Sequence, residues 1–165
     1  MRKLLFFIGT LVVVNLFVGC SKEETKGNPE ALIGTWECER ITEAFRYRGS
    51  LLILDNLKGR ETLTFYADKR VESTIGIYTC KGTYATKGYS ITIALTDPET
   101  GTSIISGPGQ TFELKFTNGE KTIATIKEQT YSVSENELTL EKISDVFFQE
   151  GNTTYVKKTV YKRVE

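Results

Sequence analysis

Along the chain, apolar and polar residues alternate with period two in short runs separated by turn residues, the pattern of half-buried β-strands. The alternation starts at Leu32. Leu32 to Thr42 reads as a first strand with Trp36, Cys38 and Arg40 on one face. Glu61 to Ala67 gives a second, in which Leu63 and Phe65 alternate with Thr62, Thr64 and Tyr66. After the turn Ala67-Asp68-Lys69, Arg70 to Thr79 reads as one strand whose apolar set is Val71, Ile75 and Ile77. Lys81 to Thr86 and Tyr89 to Thr96 form a hairpin across Lys87-Gly88, which sets Tyr84 against Ile91, Ile93 and Leu95.

In the second half the most specific local signal is Asn118-Gly119, because a type I′ turn needs positive φ at two successive positions and this dipeptide tolerates it. It joins Thr111 to Thr117 with Glu120 to Lys127. There Phe112, Leu114 and Phe116 alternate with Glu113 and Lys115, which predicts one face in a core and one in water. Tyr131 and Val133, the turn Ser134-Glu135-Asn136, and Leu138 and Leu140 make another hairpin, and Thr153 to Val164 a last strand. Two stretches depart from the pattern. Leu51-Leu52-Ile53-Leu54, inside Arg46 to Lys58, is either a short helix capped by Ser50 or a buried strand, and reads as a lid or connector. Thr96 to Gln110, with Pro98, Gly101, Gly107, Pro108 and Gly109, reads as a long rim loop carrying a short strand at Ser103 to Ile105.

Eight or nine successive antiparallel strands with one apolar face must close on themselves or pack as two sheets. Closure removes exposed edges, and an eight-stranded barrel holds packed side chains or one small ligand. The expected fold is therefore all-β, a single antiparallel up-and-down β-barrel of about eight strands, with a sandwich as the alternative.

The first twenty residues follow a different rule: basic Arg2-Lys3, an apolar run from Leu4 to Val18, then Gly19-Cys20. This reads as a signal peptide, since the run falls short of the roughly 20 residues of a transmembrane helix and stops at a cysteine. Leu16-Phe17-Val18-Gly19-Cys20 resembles the bacterial lipobox, with Phe17 where that motif usually has leucine. The resemblance implies loss of residues 1–19 and acylation of Cys20. At about 0.8 kcal/mol per buried methylene, several acyl chains anchor a protein essentially permanently. Ser21-Lys22-Glu23-Glu24 is similar to the export tag that places lipoproteins of Bacteroidetes on the outer face of the outer membrane. The plainer reading is a solvated tether. The division is then residues 1–19 signal peptide, 20–30 lipidated cysteine and tether, and 31–165 barrel domain.

Charge and composition narrow the chemistry. Lysine plus arginine and aspartate plus glutamate both number 21. Losing Arg2 and Lys3 leaves a mature chain two units negative, with no electrostatic footprint for nucleic acid. There is no histidine, which removes the usual general base near neutral pH and the commonest metal ligand. Glu37, Glu39, Glu61, Glu113, Glu128 and Glu137 sit mostly at polar strand positions, and no pair stands out for acid–base hydrolysis. No cofactor or metal is called for. Cys38 and Cys80 would enter an oxidising compartment, where a disulfide would constrain the unfolded chain by roughly 4 kcal/mol. Two buried thiols are the alternative.

Leu32-Ile33-Gly34-Thr35-Trp36 resembles the opening of lipocalin-like domains, where a Gly-X-Trp motif begins the first strand and its indole plugs the closed end. Leu63-Thr64-Phe65-Tyr66-Ala67-Asp68, Lys81-Gly82-Thr83-Tyr84, Asn136-Glu137-Leu138-Thr139-Leu140 and Tyr161-Lys162-Arg163-Val164 are similar to later strands of small lipocalin-like lipoproteins of Bacteroidetes. The resemblance implies a floor in which Arg163 packs over Trp36, a contact worth about 0.5 to 2 kcal/mol. Phe65, Tyr84 and Phe112 are candidates for lining a ligand cavity, against an ordinary core role. The functional expectation is a lipid-anchored, non-catalytic barrel that binds a small hydrophobic or amphipathic ligand at the cell envelope, its partners being the membrane and that ligand. The alternative is an envelope interaction module with a filled barrel, whose loops at 96–110 and 46–58 contact a protein or glycan.

Overall fold

The computed structural model describes residues 25–47, 50–57, 60–115, 121–148 and 151–164. All regular structure there is β: β1 Thr25–Lys26, β2 Gly34–Tyr47, β3 Ser50–Leu57, β4 Glu61–Phe65, β5 Arg70–Ile75, β6 Tyr78–Lys87, β7 Ser90–Thr96, β8 Ser103–Ser106, β9 Thr111–Lys115, β10 Lys121–Val133, β11 Glu137–Phe148 and β12 Gly151–Arg163. Eight of them, in the order β10-β11-β12-β2-β4-β5-β6-β7, form an antiparallel ring that closes where Thr130 of β10 meets Ser90 of β7. The expected single barrel is the fold. The other four strands add to this wall: β1 and β9 pair β10, β3 pairs β2, and β8 pairs β7.

Strand lengths give the barrel its shape. β2, β10, β11 and β12 run 12 to 14 residues, whereas β4, β5 and β7 run 5 to 7. The long strands therefore rise past the short ones as a tall back wall. One end is closed by Leu32, Trp36, Phe65, Val71, Tyr84, Ile91, Val133 and Leu138, all nearly or fully buried in one core. A second, smaller cluster of Ala124, Val146 and Tyr155, with Phe45, Phe112 and Leu114 against it, lies on the upper back wall.

Several expectations change. Arg40 is exposed because a bulge in β2, where Val160 pairs Arg40 and Tyr161 pairs Cys38, shifts the inward phase from Cys38 to Ile41. Arg70 to Thr79 is two strands, folded at Gly76 with φ +65°, a conformation that glycine adopts without strain. Ile75 and Ile77 are consequently exposed at the turn rather than in the core, Ile77 by 90%. Leu51 to Leu54 belongs to β3, which forms an antiparallel hairpin with β2, so the segment is a strand of the wall and not a helical lid. Cys38 and Cys80 are not joined. They sit on β2 and β6 with β4 and β5 between, roughly 14 Å apart along the wall at the usual strand spacing, beyond the ~7 Å Cα limit of a disulfide. Asn118-Gly119 lies outside the described residues, although β9 and β10 pair on either side of it, Lys115 opposite Lys121. Residues 1–24, with Cys20, also lie outside them.

Candidate functional site

At the closed end the Trp36 indole N–H donates to the Leu32 carbonyl at 2.8 Å. The Arg163 guanidinium lies 4.2 Å from the indole ring centre. It donates to three backbone carbonyls, those of Glu135 at 2.8 Å, Ile33 at 3.0 Å and Ala31 at 2.9 Å. Gly34 makes this possible: its φ is +134°, and a Cβ there would stand 2.5 Å from an Arg163 nitrogen. Next to this floor, Phe65 and Tyr84 meet edge to face at 5.0 Å, and the Tyr84 hydroxyl donates to the Tyr66 carbonyl at 3.1 Å. Both rings fill the barrel. Phe112 is far from them in the chain's architecture, on β9 in the upper cluster, 6.2 Å from the Tyr155 ring.

The feature that stands out lies above this core. Strand registers align Glu43, Lys157, Lys142 and Gln129 in one row across β2, β12, β11 and β10. One step towards the floor the row is Ile41, Thr159, Leu140 and Tyr131, and one step above it is Phe45, Tyr155, Ser144 and Ile126. A band of charge is thus held between two less polar layers. From β4, the next strand beyond β2, Glu61 adds a carboxylate whose two oxygens accept hydrogen bonds from Ser73 and Tyr161, each at 2.8 Å. Lys157 pairs with Glu43 at 3.5 Å. Lys142 makes no ion pair among the described residues; its ammonium stands 5.0 Å from the centre of the Phe112 ring.

A cavity of about 170 Å³ opens among these groups, with Leu63, Leu95 and Leu140 on its apolar side and Glu61, Lys142 and Lys157 on its polar side. That equals about six water molecules at roughly 30 Å³ each. Its edge is fixed by Gln129, 4% exposed, which donates to the carbonyls of Ile91 at 3.2 Å and Ser106 at 3.1 Å and accepts from the Ser106 hydroxyl at 2.6 Å. One side chain thereby ties β7 and the end of β8 to β10 where the wall forks. A larger groove of about 510 Å³, open to solvent on one side, runs over the outside of the barrel beside Tyr89, Thr130 and Thr139, with Glu128, Glu141 and Lys158 as its charged groups.

The environment moves several ionisations. Burial pushes the Lys142 ammonium below the ordinary lysine value, with Lys157 adding to the effect and Glu61 and Glu43 opposing it. Burial holds the Tyr161 phenol well above its ordinary value, with the Glu61 carboxylate reinforcing it. Tyr155 is raised in the same way by burial and Glu43. In such a site a desolvated cation without a fixed partner is the group with most to gain from an incoming anion.

The structure therefore brings Trp36 to Arg163 and Phe65 to Tyr84, and separates Phe112 from that pair. The charged row was missed because lysines and glutamates read as solvated positions. The available signal was phase: Lys142 continues the inward series Leu138, Leu140, and Lys157 precedes the inward Thr159 and Tyr161. No protein-family model, curated protein or solved structure matches the chain.

Proposed function

We propose that this protein is a lipid-anchored, non-catalytic binding protein of the bacterial envelope, which holds a small amphipathic ligand in the cup at the barrel mouth. The observation that carries the reading is the 170 Å³ cavity, apolar on one side and charged on the other, above a barrel whose lower half is filled. Such a site suits a compact molecule with one polar end rather than a long chain enclosed by the barrel. The absence of histidine from the sequence speaks for binding rather than acid–base chemistry. Anchoring follows from the lipobox-like residues that end at Cys20.

The test is native mass spectrometry of the full chain, purified gently from its own membranes. A discrete added mass of metabolite size is expected. A clean unbound mass would reject the carrier reading and select a second one, an interaction module acting through its rim. That second reading draws on Ile75, Ile77 and Tyr78, exposed together at the β5–β6 turn by 57%, 90% and 54%.

A further inference from the structure

We infer that the cup selects a small anion with an apolar body, its carboxylate or phosphate group seated at Lys142 beside Lys157 and its body against Leu63, Leu95 and Leu140. This inference rests on the cup being a small-molecule site, and adds the charge and shape of the occupant.

Lys142 and Lys157 are direct cross-strand neighbours on β11 and β12, and like charges in that position repel. One carboxylate, Glu43, stands in contact with one of them, Lys157. A second carboxylate in the cup, Glu61, accepts a hydroxyl hydrogen on each oxygen, from Ser73 on β5 and from Tyr161 on β12, which hold it in place. Lys142 is left with the face of Phe112, a weaker partner than an anion. Glu43 and Glu61 match the two ammonium groups in number, but among the described residues neither stands within ion-pair distance of Lys142, which lines the cavity. An anion placed there would face two ammonium groups, relieve their mutual repulsion and complete a four-charge chain from Glu43 to the ligand. The leucines then meet whatever the anionic group carries, and the volume limits that body to a few carbon atoms inside the cup. A longer tail would have to leave through the mouth.

Two sources share this chemistry: a free organic anion and the headgroup of an anionic amphiphile. Calorimetric titration of the full chain with hexanoate, hexanol and hexylamine separates the possibilities. Hexanoate is expected to bind at least tenfold more tightly than hexanol, with hexylamine weakest. Lys142→Met keeps the apolar stem and removes the charge, and is expected to erase the preference for hexanoate, whereas Lys81→Met, at an exposed position on β6, is expected to leave it intact. If hexanol binds as well as hexanoate, or hexylamine binds best, the charge assignment falls while the cup remains a ligand site. If none of the three binds and vesicles of phosphatidylcholine containing oleate do not capture the chain, both the inference and the cup reading fall. Capture by those vesicles that is lost in Lys142→Met, without affinity for hexanoate, assigns the anion to an amphiphile headgroup.

Discussion

Arg163 does at the closed end what no single apolar residue could: it covers the Trp36 ring and satisfies the carbonyls of Ala31, Ile33 and Glu135, which belong to two separate chain segments. Arg163→Ala should destabilise the barrel by about 2 to 3 kcal/mol, from the lost ring contact and charged hydrogen bonds. It should also shift Trp36 fluorescence; an unchanged melting temperature together with an unchanged spectrum would remove the contact from any structural role. The buried phenols make a second residue-level prediction. Tyr155 and Tyr161 titrate above their ordinary value in the folded chain, whereas unfolded tyrosines lose a proton near pH 10. Above about pH 10 the unfolded state thus binds fewer protons than the native one, so stability falls as pH rises, by up to about 1.4 kcal/mol per pH unit for each phenol. Lys142, whose ionisation is depressed, contributes the opposite slope, and only between its native value and the unfolded lysine value near 10.4. Melting temperatures followed from pH 9 to about pH 11.5 should drop less steeply in Tyr155→Phe than in the native chain. Equal slopes would mean that the phenol ionises freely in the fold.

At the scale of the strand, alternation was a good guide until a bulge interrupted it. The hairpin β10–β11 falls where its turn residues put it, whereas β6–β7 turns at Gly88-Tyr89, one residue later than Lys87-Gly88, with Lys87 opposite Ser90 and Tyr84 opposite Ile93. In β10 the register shifts between Ile126 and Glu128, so Ile123, which shares odd parity with the buried Tyr131 and Val133, is 51% exposed instead of inward. A single extra residue reverses every inward assignment on one side of it, and nothing in the local composition marks the place. The same limit hid the cup. Its row becomes visible only when the registers of four strands are known together, whereas the floor was legible because Gly34-Thr35-Trp36 is a local motif. Pairing also explains a glycine that needs no positive φ. A Cβ at Gly82 would stand 1.8 Å from the Ala94 carbonyl oxygen across the β6–β7 ladder. Gly82→Ala should therefore force the strands apart and cost about 3 kcal/mol, the upper end of ordinary overpacking. Chemical denaturation would read this as a lower midpoint, and a midpoint within error of the native chain would mean that the ladder yields easily there.

For the molecule as a whole, the position of the first strand has a consequence for orientation. β1 pairs Thr25 with Val133 and Lys26 with Ser132, beside the β10–β11 turn whose Glu135 carbonyl holds Arg163. The chain therefore enters the barrel at its closed end. With acylation at Cys20 as proposed, the five residues to Thr25 reach at most about 18 Å. The 13 residues of β12, at roughly 3.3 Å each and tilted by about 40°, place the mouth some 30 Å farther away. The closed floor should then face the membrane, and the charged cup and the apolar tip at Ile77 should face away from it. Energy transfer can measure this on the anchored chain. A dye at Ile77→Cys should transfer weakly to an acceptor on lipid headgroups, and the same dye at Glu135→Cys strongly, both in a Cys38→Ala, Cys80→Ser background. Equal transfer from the two positions would mean that the barrel lies on its side. The distinction bears on how a ligand arrives: a cup that points away from its own bilayer fills from the surrounding solution or from a facing partner, whereas a cup lying against the lipid could draw an amphiphile directly from the leaflet that anchors it.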